Sequence, residues 1–183
     1  MLRLRAGDED AFRELFEKHS RSIVNFAYHF VGSRFRAEEL AQDVFLQLYR
    51  AAPRYEPQAK FTTWLYRIAT NACLNELRRP ERRHKTRPLE YEPEDSRERA
   101  EIAFADPEAE RGDTALAGRQ LEARIREVLV KLPENQRAAL LMSRTEGMSY
   151  REVADALETS ESAVKSLVFR ATATLRKELA EFL

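Results

Sequence analysis

"SYREVADALETSESAVKSLVFRATATLRK", residues 149–177, punctuates itself into two helices with a tight turn between them. Ser149 is placed to cap the first helix, and Glu152 follows three residues on, the spacing of a capping box. The second helix starts at Thr159 or Ser160 as cap and carries Val164, Val168, Ala171 and Leu175 inward at helical spacing. A short helix, a turn and a longer helix make a helix-turn-helix. The outward side of the longer helix presents Ser162, Lys165, Ser166, Phe169, Arg170, Ala173 and Lys177. Small residues let a helix approach base edges, hydroxyls and cations meet phosphates, and long donors reach into the major groove. The unpaired N–H groups from Ser160 to Ala163 also favour a phosphate. The plainer alternative is a structural bundle whose last helix is merely solvated. The punctuation favours duplex DNA.

Working outward, "RQLEARIREVLVKL" reads as one helix, and Pro133 suits the first turn of the next, "PENQRAALLMSRTE". At the other end, Asp8 to Val31 repeats Phe12, Phe16, Ile23, Phe26, Ala27 and Phe30 on one side, with Asp8 as N-cap and Gly32 as stop. "SRFRAEELAQDVFLQLYRAAP" gives a second helix with Leu40, Val44, Leu48 and Ala51 inward, ended before Pro53. A third runs from Lys60 to Pro80. No stretch alternates as a strand does, so the chain is all-α. It divides into two small helical domains, 1–79 and 119–183, joined by a Pro-, Glu- and Arg-rich linker, 80–118, with a helical tail near "DTALAGRQLEARI". Charge agrees with that division. Residues 1–79 hold 13 Lys and Arg against 10 Asp and Glu, residues 89–118 hold 3 against 10, and residues 120–183 hold 10 of each. An acidic middle between balanced ends reads as a solvated spacer.

The third helix, within "KFTTWLYRIATNACLNELRRPERR" (60–83), has an ordinary apolar stripe: Phe61, Leu65, Ile68 and Ala72. Beside it lies a second stripe of Lys60, Trp64, Arg67, Asn71, Asn75 and Arg78. A solvated face more often carries Glu–Lys pairs. An aromatic beside amides and cations is equipment for unpaired bases, which stack on rings and bond through their Watson–Crick edges. Lys60, Arg78, Arg79, Arg82 and Arg83 would follow phosphates. Trp64 alone reads as a half-buried core residue; the whole stripe together reads as a base platform.

Other classes fall away. The 183 residues are 43% hydrophobic and 34% charged, a globular composition with zero net charge. No apolar run approaches the roughly 18 residues of a membrane span, and the opening "MLRLRAGDEDAF" lacks a signal segment. One cysteine, Cys73, excludes an internal disulfide and suits a reducing cytoplasm. Three histidines with one cysteine offer no metal spacing, so no metal or cofactor is expected. Five glycines without a phosphate loop argue against nucleotide binding.

Duplex binding at one end and single-strand binding at the other is an unusual pair of tasks. In that order and spacing, the sequence resembles the extracytoplasmic-function branch of bacterial sigma factors, the promoter-recognising subunits of RNA polymerase. "GDEDAFRELFEKH" resembles the start of the family's promoter-melting domain, and "AEELAQDVFLQLYR" its polymerase-clamp-binding helix. "YEPQAKFTTWLYRIATNACLNELRR" is similar to the segment that reads and opens the minus-ten element. "LPENQRAALLMSRTEGMSYREVADALETSESAVKSLVFRA" is similar to the minus-thirty-five reader. The resemblance implies a non-enzymatic cytoplasmic subunit that acts with core polymerase, meeting its clamp helices and flap. It assigns Glu38, Leu40, Gln42, Asp43 and Phe45 to the clamp, and Tyr55, Lys60, Phe61, Trp64, Arg67, Asn71, Asn75 and Arg78 to the minus-ten strand. Ser160, Ser162, Lys165, Ser166, Phe169 and Arg170 fall to the minus-thirty-five duplex. The linker would thread the polymerase cleft. Members are commonly held by an anti-sigma partner, often membrane-linked, with no direct insertion of the sigma chain itself. Leu167 and Thr172 stand where the family usually has arginines, so cationic contacts on this helix should be fewer. The competing readings are a helix-turn-helix regulator acting alone on duplex DNA, and a protein-interaction module that titrates a regulator.

Overall fold

Local caps set several helix ends, and those at Asp8, Gly32, Ser149 and Ser160 lie where the sequence places them. A computed structural model describes residues 1–79, 112–144 and 146–180, with the side chains of 112–117 and 119 left aside. A one-turn helix α1 (Leu2–Arg5) leads into α2 (Glu9–Val31), whose first turn is closed by the Asp8 carboxylate accepting from Ala11 N at 3.2 Å. Gly32 ends α2 in the left-handed region, φ 74°, and its N–H donates to Tyr28 O. Ser33 then caps α3 (Arg34–Ala51), so two residues suffice to reverse the chain. Pro53 sits in a 3-10 turn, Ala52–Arg54, and α4 follows over Phe61–Arg78. These helices bury Ile23, Phe26, Phe30, Val44, Leu48 and Leu65 almost completely. Each such side chain contributes about 1.5–3 kcal/mol of burial.

The second unit comprises α5 (Gly112–Lys131), α6 (Glu134–Arg144), α7 (Tyr150–Leu157) and α8 (Glu161–Glu178). The last seven residues of the stretch read as linker, 112–118, thus belong to a helix that starts at Gly112; residues 80–111 of it lie outside the described residues. Ser149 and Glu152 form the reciprocal capping box of α7, and Ser160 caps α8. Val164, Val168 and Ala171 are buried, while Leu175 is partly so. Every described element is helical, as the periodicity required.

The inward face of α4 needs a correction. Leu65 and Ala72 are buried as expected, but Phe61 and Ile68 are only partly covered. Tyr66, Ala69, Thr70, Cys73 and Glu76 are buried instead. The reason is that α4 is packed on two sides: α2 and α3 cover one, and α7 of the second unit covers another. A single-sided stripe cannot describe a helix with two partners.

The two units share one buried cluster, with α2 against α5 and α6, and α4 against α7 and α6. Arg137 of α6 lies at their junction, 3% exposed. Its guanidinium donates to Phe30 O at the end of α2, and to Val130 O and Leu132 O (3.0 Å) at the end of α5. Terminal helix carbonyls lack partners and carry partial negative charge. One cation therefore satisfies two helix ends, one from each unit. It also stacks over the Phe30 ring at 5.2 Å. Gly32 makes this approach possible: a Cβ there would stand 3.3 Å from Val130 Cγ2.

Candidate nucleic-acid interface

The loop 55–60 and the start of α4 bring three aromatic rings together. Tyr55 meets Trp64 edge-on at 5.0 Å between centroids, and Phe61 meets Trp64 at 6.3 Å. His19 of α2 stacks behind Phe61 at 5.3 Å. Arg5 fixes the loop by donating to Tyr55 O at 3.0 Å. Tyr55 is buried, and Trp64 is half-buried against the core. Trp64 thus packs, as the half-buried reading expects, and is not sealed in the core. Beyond it, Asn71, Asn75 and Arg78 are exposed one turn after another. Arg82 and Arg83 lie outside the described residues.

The cations of this stripe do not stand free. Lys60 Nζ is 2.7 Å from Glu152 Oε1, Arg67 Nη1 is 3.4 Å from Glu158 Oε1, and Arg78 Nη2 is 3.4 Å from Glu134 Oε2. Arg67 also donates to the Asp155 carbonyl. Lys60 and the Ser149 cap together hold the Glu152 carboxyl down at about 2. Tyr66, turned inward, donates its phenol to Glu146. Burial raises both groups above their usual ranges, the phenol further by the facing carboxylate. Cys73 beneath them is pushed up to about 12 by burial, which leaves an inert thiol. Sequence reasoning did not find these carboxylates. Glu152 was legible as a cap, but nothing local reveals that its second oxygen meets Lys60.

On α8 the expected outward face is outward. Ser160, Ser162, Lys165, Ser166, Phe169 and Arg170 are all exposed, Phe169 to 75%. Lys165 makes only an i,i+4 pair with Glu161, and the three hydroxyls bond within their own turn. Leu167 packs part of its side chain on the core, and Thr172 donates its hydroxyl to Val168 O. Neither substitutes for an arginine.

On α3 the assigned residues divide. Glu38, Gln42 and Asp43 are exposed, whereas Leu40 and Phe45 are buried. The large apolar side chains that do reach solvent there are Phe35, Leu46 and Tyr49, exposed to 68%, 47% and 46%. With Gln42 they form one helical stripe, which a helical-wheel reading of "FRAEELAQDVFLQLY" contains.

Residues 15–83 match the family Sigma-70 region 2, and residues 122–175 match Sigma-70, region 4. The chain is 32% identical to the RNA polymerase sigma-H factor of Pseudomonas aeruginosa, covering 97% of this chain and 90% of that one. It is 33% identical to the ECF RNA polymerase sigma factor SigM of Mycobacterium tuberculosis, over 95% and 80% of the two chains. The fold is shared with the sigma factor RpoE solved in complex with the anti-sigma factor NepR from Bartonella quintana. The TM-score there is 0.68 at 20% identity, over 93% of this chain and 97% of that one. The two regions matched in order, with relatives 32% and 33% identical over nearly the whole chain, make the chain a member of the extracytoplasmic-function branch of the sigma-70 family, an RNA polymerase sigma factor.

Proposed function

We propose that residues 1–79 seat the chain on the polymerase clamp and trap the minus-ten strand, while residues 119–183 hold the minus-thirty-five duplex. The observation that carries this is the surface of α4, where a half-buried indole continues into two exposed amides and three cations. A base leaving the stack gains a ring to lie on and donors for its edge, which offsets the few kcal/mol of unstacking. Strand opening then needs no nucleotide hydrolysis by this chain, and its role is binding, not catalysis. Tyr55 and Phe61 act mainly by fixing the Trp64 ring, and Lys60, Arg67, Asn71, Asn75 and Arg78 meet base edges and phosphates.

On α3, Glu38, Gln42 and Asp43 meet the clamp helices together with Phe35, Leu46 and Tyr49, and Leu40 and Phe45 hold the helix from beneath. On α8, Lys165 and Arg170 lead, with Ser160, Ser162, Ser166 and Phe169 lining the groove. The chain works in the cytoplasm; no described helix is long and apolar enough to cross a membrane. A solved relative is complexed with an anti-sigma factor, and we assign this chain a partner of that kind. Run-off transcription with purified core polymerase tests the whole reading: specific initiation is expected. A gel shift on duplex DNA without polymerase, and no initiation with it, would overturn it.

A further inference from the structure

We infer that Arg5, Arg50 and Arg54 form a second anchor for the opened promoter strand: a phosphate-binding patch on α1 and the end of α3 that takes the sugar-phosphate backbone beside the base held at Trp64. This rests on the assignment of α4 to the minus-ten strand and extends it to residues without a role so far. Arg5 even precedes the stretch matched to Sigma-70 region 2, which begins at residue 15.

The fold brings these three residues to one corner. The backbone stays right-handed from α3 into the 3-10 turn, with Ala52 at φ −53° and ψ −42°. Arg50 and Arg54 therefore stand about one turn apart at the end of α3, both exposed. Helix α1 packs on that same turn. From it Arg5 donates an Nη1–H to the carbonyl of Tyr55, the residue after Arg54, at 3.0 Å. The other arginine of α1 pins the helix down, since Arg3 pairs with Asp8 and with Glu14, each at 2.8 Å. Arg5 thus starts from a fixed backbone, and its remaining N–H groups can take a second acceptor.

Charge in this corner is not cancelled. The guanidinium groups of Arg50 and Arg54 meet no carboxylate among the described residues. Arg3 already holds Asp8 and Glu14, and Glu56 is the one acid between Arg50 and Lys60. On α4, by contrast, Lys60, Arg67 and Arg78 each face a carboxylate. Arg50, in the last turn of α3, also complements the carbonyls of that helix end. Arg54 lies past it and has no such use.

Tyr55 joins the patch to the trap. Its carbonyl holds Arg5, while its ring lies edge-on to Trp64 at 5.0 Å between centroids. Rings for bases beside cations for the backbone are the general make-up of a single-strand site. Guanidinium forks suit phosphate in particular. The competing occupant is an acidic surface of polymerase, because Arg50 adjoins Tyr49 of the exposed α3 stripe.

The test uses holoenzyme carrying R50A/R54A, with Arg5 left intact because its loss would also release the loop. The probe is a fork-junction DNA whose non-template minus-ten strand is unpaired, from a promoter mapped by run-off sequencing. Affinity for core polymerase should be unchanged. Probe affinity should drop roughly tenfold, and the slope of log affinity against log salt should fall by about 1.4, twice the ~0.7 of one single-strand phosphate. R50K/R54K should restore the slope, since a phosphate needs the charge. Neutral methylphosphonate links next to the trapped base should weaken wild type and leave R50A/R54A unaffected. An unchanged slope, a loss confined to core binding, or no rescue by lysine overturns the inference. Failure of the α4 assignment reads differently: Trp64→Ala would then bind the probe as wild type does. Failure of the patch alone leaves Trp64→Ala weakened and the R50A/R54A slope intact.

Discussion

Helices α4 and α8 each place a polar stripe beside a packed apolar one, yet the cations of the α4 stripe are tied to acids of the other unit, whereas Lys165 on α8 pairs within its own helix. On α8, Phe169 stands 75% exposed and Arg170 faces outward. On α4, the rings of Tyr55, Phe61 and Trp64 lean on one another and each cation is paired across the seam. The difference fits the two tasks proposed above. A helix entering a groove needs only shape and a few donors. A base trap needs a ring held in place, and the contacts of Tyr55 and Phe61 with Trp64 hold it.

The comparison is broken most severely by removing what holds the two halves together. Arg137→Ala should lower unfolding free energy by about 3 kcal/mol or more, since three carbonyls lose their donor and each unsatisfied buried acceptor costs about 1–3 kcal/mol. Urea unfolding should then split into two transitions; a single unshifted transition would mean that α2 and α6 do not depend on this residue.

Next comes the α4 stripe itself. Trp64→Ala in holoenzyme should leave polymerase binding intact and weaken strand opening by roughly 2–3 kcal/mol, the upper part of a base-on-ring stacking contribution. Permanganate reactivity of minus-ten thymines reads this, and wild-type reactivity would remove Trp64 from the trap. Asn71→Ala should act in the same assay more mildly.

The open stripe should respond more weakly and differently. Arg170→Ala should cost about 1–2 kcal/mol at one position of the minus-thirty-five element if the guanidinium meets a base. If it meets a phosphate, affinity falls uniformly and the salt slope drops by about 1. Fluorescence anisotropy of holoenzyme on upstream duplexes at several salt concentrations separates the two.

The smallest effect concerns His29, at the α2–α5 contact. Burial first, and the Arg126 charge second, hold its imidazole below 6.5, and its Nδ1 is buried without a partner among the described residues. The unfolded chain therefore binds a proton near pH 6.5 that the folded chain refuses. Stability should fall as pH drops through 6.5 toward the depressed folded value. In His29→Gln the fall in urea midpoint between pH 7.5 and 5.5 should be shallower than in wild type; an equal fall would place the titration elsewhere.

What the sequence disclosed were the features written in adjacent residues. Asp8 and Gly32 bracket α2, and Ser149 with Glu152 open α7, because a cap acts over three or four positions. The outward set of α8 was legible for a related reason: one side of that helix packs and the other does not. Hidden from such reading were Tyr66 with Glu146 and Lys60 with Glu152, partners some eighty or ninety positions apart. Tyr66 looks like any aromatic between two stripes until a second unit supplies a carboxylate for its hydroxyl. Phe45 went the other way, appearing surface-facing by resemblance and turning inward to pack on Phe12 and Phe16 of α2, while Leu40 is buried as its periodicity had it and not as the resemblance did.

Arg137 and the three cations of α4 respond to dissolved ions in opposite ways. A guanidinium sealed beneath two helix ends is shielded from the medium, whereas exposed pairs are weakened once the Debye length falls to about 10 Å and below. Rising ionic strength would therefore peel the joint from its rim while its central rivet held, so that the salt around the chain sets how readily the rim loosens.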